Sequence, residues 1–338
     1  MLGHGGGTVK RRRWITLAAL VFAVFACADR DAELREEFQA ASLALVDQLV
    51  PGSTKIVMGR DGWILHQLEL QFVTDASLVG ESAIQTHGNP PEKVGPASVI
   101  IDFHRQLQER GIEMYLMPIP VRPVIYPESV LGQEPFAKRE TIPNLHPSLQ
   151  EFLSVLRESG VRVIDLTPTF LREREHPEHG AVFCPSDTHW TPYGITLATK
   201  ILAAEIKEKP WFEAVPKQRY RQRWIMKTIS GRLYQRYEDA TGIVLEPDPV
   251  WMREIVLETE EGLKEFGIQH PESPVIVIGD SNTARWANHS SGLAHSLAFE
   301  LGFPVDVLSA AGGGANTSRL NLIRKARTEP GYPRASRS

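Results

Sequence analysis

The chain has 338 residues, 42% of them hydrophobic and 23% charged, enough apolar material for one large α/β domain or two small ones. Its formal net charge of -4 excludes nucleic-acid binding driven by overall charge, since an acidic polymer would have to be met by a local basic patch. With only two cysteines, Cys27 and Cys184, no disulfide framework is expected.

Lys10-Arg11-Arg12-Arg13 precedes an apolar run from Trp14 to Ala26. At 13 residues that run is short for a bilayer span and suits the core of a signal peptide. Residues 1–27 therefore read as a signal peptide or membrane anchor. Val24-Phe25-Ala26-Cys27 loosely resembles a bacterial lipobox, with Cys27 as the lipidated residue. Either fate places the rest of the chain outside the cytoplasm.

Residues 28–52 read as a helical linker, with Leu34, Phe38, Leu43 and Leu45 at helical spacing and Pro51-Gly52 as its end. Asp61-Gly62 between two apolar runs predicts a β-hairpin. Residues 81–93 read as a loop. A unit of helix, glycine and strand then recurs three times. Its copies are 97–110, Gly111 and 112–119; 147–159, Gly160 and 161–166; and 293–301, Gly302 and 305–310. This pattern predicts a parallel sheet with covering helices. Residues 207–246, basic and aromatic, read as irregular structure, and 257–266 as a short amphipathic helix.

Val275-Ile276-Val277-Ile278 predicts a strand buried on both faces, and Gly279 a sharp turn that leaves Ser281 beyond the strand's carboxyl end. Ligands bind at that edge of open α/β sheets. Phe183-Cys184-Pro185-Ser186-Asp187-Thr188-His189-Trp190 precedes a helix opened by Thr191 as N-cap and Pro192 as its first residue. Serine needs a base to become a nucleophile, histidine supplies one near neutral pH, and a carboxylate orients the imidazole. Ser281, His189 and Asp187 are therefore the candidate nucleophile, base and acid. The Ser281 amide, Gly313 in the run Gly312-Gly313-Gly314, and Asn316 are candidate oxyanion donors.

Other readings compete. Asp102-Phe103-His104 repeats the Asp-x-His pattern within a helix. His176, His179, Cys184, Asp187 and His189 include zinc-ligand types, although their spacing matches no standard motif. Cys184 is a second nucleophile candidate, with a buried structural thiol as its default role. Trp190 and Trp286 could stack on sugar rings or be ordinary core, and Arg60 or Arg285 could meet a substrate carboxylate or serve as surface residues.

Gly279-Asp280-Ser281 together with Asp187-Thr188-His189-Trp190 resembles the SGNH hydrolase-like domain of the alginate O-acetyltransferases AlgJ and AlgX. The order, Asp-x-His before the serine, is similar to the circularly permuted order of that group. Gly59-Arg60-Asp61-Gly62-Trp63, Tyr126-Pro127-Glu128 and Thr191-Pro192-Tyr193-Gly194 also fit. The resemblance implies a three-layer α/β domain with a central, mostly parallel sheet over residues 53–331, followed by a tail at 332–338. It implies an enzyme that moves acetyl groups onto hydroxyls of an acidic or neutral exopolysaccharide in the periplasm. Ser281 would be the nucleophile, His189 the base and Asp187 its orienting acid, with a membrane-bound acyltransferase as donor and no cofactor. A carbohydrate acetylesterase with the same triad and a non-catalytic polysaccharide-binding subunit remain open. The family continues past the last helix into another apolar strand, whereas Tyr332 to Ser338 is not one. The expectation is a truncated chain or a sheet short of an edge.

Overall fold

The computed structural model describes residues 30–52, 55–74, 77–87 and 94–328, with side chains except at 314–316. The leader at 1–27, the tail at 332–338 and the Asn316 side chain lie outside the described residues. Among the described residues, no helix is long and apolar enough to cross a membrane.

Residues 30–46 are helical. Leu34 and Phe38 of this helix belong to the main hydrophobic core, which also holds Leu65, Ile125, Trp190 and Leu297. Arg139 binds Asp31 at 2.5 Å, so this segment is packed as part of the fold. The predicted hairpin pairs Ile56–Met58 with Ile64–His66 in antiparallel register. Asp61 and Gly62 both have positive φ, 51° and 79°, as a tight hairpin turn of the primed type requires.

All three repeated units are present. The helices Pro96–Gln108, Pro147–Glu158 and Leu293–Leu301 are followed by Gly111, Gly160 and Gly302 in the left-handed region. Their strands pair in parallel, Tyr115–Leu116 with Arg162–Val163 and Ile276–Gly279 with Asp306–Ser309. The first two strands are shorter than expected. Pro118 and Pro120 cannot donate to a ladder, and Asp165 turns back to accept from the Thr167 amide at 2.9 Å as the helix Thr167–Arg172 begins. Ile276–Gly279 is half-buried along its length rather than enclosed on both faces, since its hydrogen-bonded neighbour among the described strands is Asp306–Ser309 alone.

Three expectations are corrected. Residues 81–93 do not begin as a loop: Gly80–His87 is a helix, whose polar composition hides the one side, at Ala83, that faces inward. Residues 207–246 are not irregular. Arg219–Ile229 is an 11-residue strand, paired antiparallel with the 12-residue strand Asp248–Thr259. The helix Arg232–Thr241 connects the two. The expected helix at 257–266 is instead the end of that second strand and its hairpin to Gly262–Lys264.

His146, the N-cap residue of the Pro147–Glu158 helix, is fully buried and edge-on to Phe72 at 4.8 Å. Burial pushes its imidazole down from 6.5 to about 4. The unfolded chain therefore takes up a proton first as pH falls. Stability should be complete above pH 6.5 and decline until about pH 4, by roughly 3 kcal/mol in total from this group. Urea unfolding across that window should show a slope that His146→Leu flattens; an identical slope in the variant would contradict the assignment.

Candidate active site

The segment from Cys184 to His189 is fixed before its chemistry begins. Phe183 and Trp190 form an antiparallel bridge that closes it into a loop. Arg122, fully buried, lies beneath. Its guanidinium donates to Glu69 through two nitrogens at 2.8 and 2.6 Å, and to the carbonyls of Ile64, Cys184 and Pro185 at 2.8, 3.2 and 3.1 Å. Such a satisfied pair is costly to break from one side, because the remaining charge would be buried alone. Ser186 is held by Asp248, which accepts from its amide at 2.9 Å, and by the Gly231 amide, which donates to its hydroxyl at 3.1 Å. A Cβ at Gly231 would lie 2.2 Å from the Ser186 carbonyl oxygen, so only glycine allows this approach. Thr191 accepts from the Gly194 amide at 3.3 Å and opens the helix Pro192–Lys207, as its sequence predicts.

The serine arrives from the other side. Gly279 ends its strand where a Cβ would lie 2.3 Å from Thr283 Cγ2. Asp280 caps the helix Ser281–Ala284, accepting from the Asn282 amide at 2.8 Å. Ser281 thus occupies the first helical position, where its own amide has no preceding turn to bond to. The Trp190 indole donates to the Asn282 carbonyl at 3.1 Å, and the Trp286 indole donates to the Trp190 carbonyl at 2.7 Å. These two bonds lock the serine turn onto the loop of Asp187 and His189.

The three side chains meet. Ser281 Oγ is 2.8 Å from His189 Nε2, and His189 Nδ1 is 2.5 Å from Asp187 Oδ1. The same carboxylate oxygen accepts from the His189 amide at 3.0 Å. Its other oxygen, Oδ2, accepts from Arg285 at 2.7 Å. Asp187 is nearly inaccessible, while the His189 side chain keeps 17% exposure. Burial opposes charge on Asp187, but the bond from His189 and the Arg285 guanidinium outweigh it and hold the carboxyl at about 2. A neutral imidazole protonated on Nδ1 would donate to Asp187 and accept from the serine hydroxyl through Nε2, the arrangement general-base activation requires.

The family model described as the SGNH hydrolase-like domain of the acetyltransferase AlgX matches residues 56–335. The chain belongs to this family. Among its relatives is the probable alginate O-acetylase AlgJ of Pseudomonas aeruginosa, 30% identical over 170 residues, or 50% of this chain and 37% of the relative. The alginate biosynthesis protein AlgX of the same species is 29% identical over 117 residues, 34% of this chain and 23% of the relative. The chain thus matches well under half the length of either. Two solved structures share the fold: Pseudomonas aeruginosa AlgX, with TM-score 0.58 and 19% identity over 84% of this chain and 60% of that one, and the O-acetyltransferase domain of Pseudomonas putida AlgJ, with TM-score 0.56 and 21% identity over 79% and 83%.

Within this SGNH hydrolase-like domain the remaining candidates separate. Trp190 and Trp286 are buried, at 0% and 2% exposure, so neither offers a face to a sugar; both serve as the lock described above. The Gly313 amide donates to the Ala310 carbonyl at 3.1 Å and is already engaged, which removes it as an oxyanion donor. The Arg285 guanidinium binds Asp187 and lies on the Trp286 ring. Arg60 is exposed in the hairpin turn, away from these contacts. Burial raises the Cys184 thiol to about 12, far from a thiolate nucleophile. The rings of His176 and His179 stack at 4.6 Å, and His179 stacks on Trp224 at 3.9 Å. Among the described residues, no group of three or more His, Cys, Asp or Glu could hold a metal. Asp102 pairs with Arg105 on an exposed helix face. Sequence reasoning missed Arg122, Glu69, Asp248 and Gly231. An arginine between apolar residues in Val121-Arg122-Pro123 was the one available signal.

Proposed function

We propose that the chain is an O-acetyltransferase that moves an acetyl group onto hydroxyls of an exopolysaccharide through an acetyl-serine at Ser281. The observation that carries this reading is the hydrogen-bonded chain from Asp187 through His189 to Ser281. His189 Nε2 takes the hydroxyl proton as Ser281 Oγ attacks the acetyl carbonyl of the donor. The Ser281 amide, at the first position of the helix Ser281–Ala284, is the donor offered to the resulting oxyanion. Collapse of that intermediate expels the donor's oxygen, which takes the proton back from His189. A sugar hydroxyl then enters, gives its proton to Nε2 and attacks the acetyl-serine; the acetyl ester of the sugar leaves as Ser281 Oγ takes that proton back from Nε2, which restores both side chains. Asp187 steadies the imidazolium in both halves.

The acceptor is an acidic or neutral polysaccharide, in keeping with relatives named for alginate acetylation and biosynthesis. The N-terminal basic and apolar segment supports a periplasmic site of action with membrane association, and the family resemblance implies a membrane-bound acyltransferase as acetyl donor. The test is transfer from a chromogenic acetate ester with and without polyuronate or neutral glucan. Acetyl ester should accumulate on one of these polymers while acetate release falls. Acetate release unchanged by every polymer, with no acetyl on any, would instead make the chain an esterase.

A further inference from the structure

Arg285 is held at a conformational cost. The turn that follows it places Trp286 and Ser290 at φ 66° and 51°, a region that large side chains avoid. A Cβ at Gly292 would lie 2.8 Å from the Arg285 carbonyl oxygen and 3.0 Å from the Ala287 amide, so the turn closes tightly on the arginine. The guanidinium stacks on the Trp286 ring, 3.9 Å from its centroid, and its Nε is buried with no hydrogen-bond partner. Against these costs stands the bond to Asp187 Oδ2. Strain concentrated around one side chain beside reacting groups points to a role there.

We propose that Arg285 is a positioning residue: it fixes the plane of the Asp187 carboxylate and competes with the imidazolium for that carboxylate's charge. The inference rests on the Ser281–His189–Asp187 reading above. The other charged and titratable groups around the pair are already committed. Arg122 is bound to Glu69, Asp280 to the Asn282 amide, and Asp248 to the Ser186 amide. The Cys184 thiol is neutral. Beyond Trp286, Lys227 lies between His289 and Glu254. Among the described residues, Arg285 is the cation that touches Asp187.

The test follows the His189 imidazole by NMR titration in the full-length chain, alongside the pH dependence of kcat/KM on an acetate ester. With Arg285→Met, the titration midpoint and the acid limb should both move up by about half a unit to one unit, and kcat should fall roughly tenfold. Arg285→Lys, which keeps the charge without the planar fork, should return the midpoint toward its original place. If Arg285→Met does not fold, Arg285→Gln carries the same measurement. A midpoint that stays put in a folded neutral variant overturns the proposal, as does a rise in KM with the acid limb unmoved, which marks a substrate contact. Failure of the triad itself is read separately, as turnover that survives in Ser281→Ala, and the NMR midpoint does not depend on turnover.

Discussion

Ser281→Ala is expected to lower acetate-ester turnover by roughly 10⁴- to 10⁶-fold with little change in melting temperature. The substitution deletes one oxygen from a half-buried position. It leaves the Asp280 cap, the Gly279 turn and both tryptophan bonds in place, so the fold loses none of its anchors. The other candidate nucleophile among the described residues, the Cys184 thiol, is buried, raised to about 12 and neutral at working pH. Stopped assays at high enzyme concentration measure the residual rate. Turnover near the parent level would place the reacting atom elsewhere.

The second large effect is expected for Asp187→Asn, a fall in kcat of about 10⁴-fold, the scale seen when a triad carboxylate becomes an amide. An amide can present its NH₂ to His189 Nδ1, which forces that nitrogen to accept and puts the ring proton on Nε2, facing the serine. Arg285 would at the same time lose its charged partner. The parent carboxyl, held at about 2 against an ordinary 3.8, stays ionised throughout the working range. Its stabilising contribution is present above pH 3.8 and is lost as pH falls toward 2. The rate loss in Asp187→Asn should therefore persist at every neutral or mildly acidic pH. Combining it with Ser281→Ala should add almost nothing, because groups that act as one unit are not additive. A variant within tenfold of the parent rate would mean that His189 does not depend on this carboxylate.

The parts legible in the sequence were those whose information is local. A glycine after an apolar helix stops it wherever it occurs, and Gly111, Gly160 and Gly302 did so. Gly279-Asp280-Ser281 and Asp187-Thr188-His189 were readable because each lies at a turn that its own neighbours specify. The long antiparallel sheet was not readable, because both faces of Arg219–Ile229 carry polar residues and no period-two pattern emerges. Its cations are matched across the ladder instead: Arg221 binds Glu258 at 2.9 Å and Arg223 binds Glu254 at 2.7 Å. The support beneath the site was hidden for the same reason. Arg122 finds Glu69 from 53 residues away and Cys184 from 62. The choice between sugar stacking and core for Trp190 and Trp286 was not readable, because residue type alone does not say which side of a ring meets the core.

The most direct measurement is the mass of the tryptic peptide that contains Ser281, taken after brief mixing with an acetate ester and an acid quench. The account requires one added acetyl group on that serine, removed when a polysaccharide hydroxyl is supplied and absent from Ser281→Ala. Sustained turnover with that peptide never acetylated, or with the acetyl found on another side chain, would contradict it.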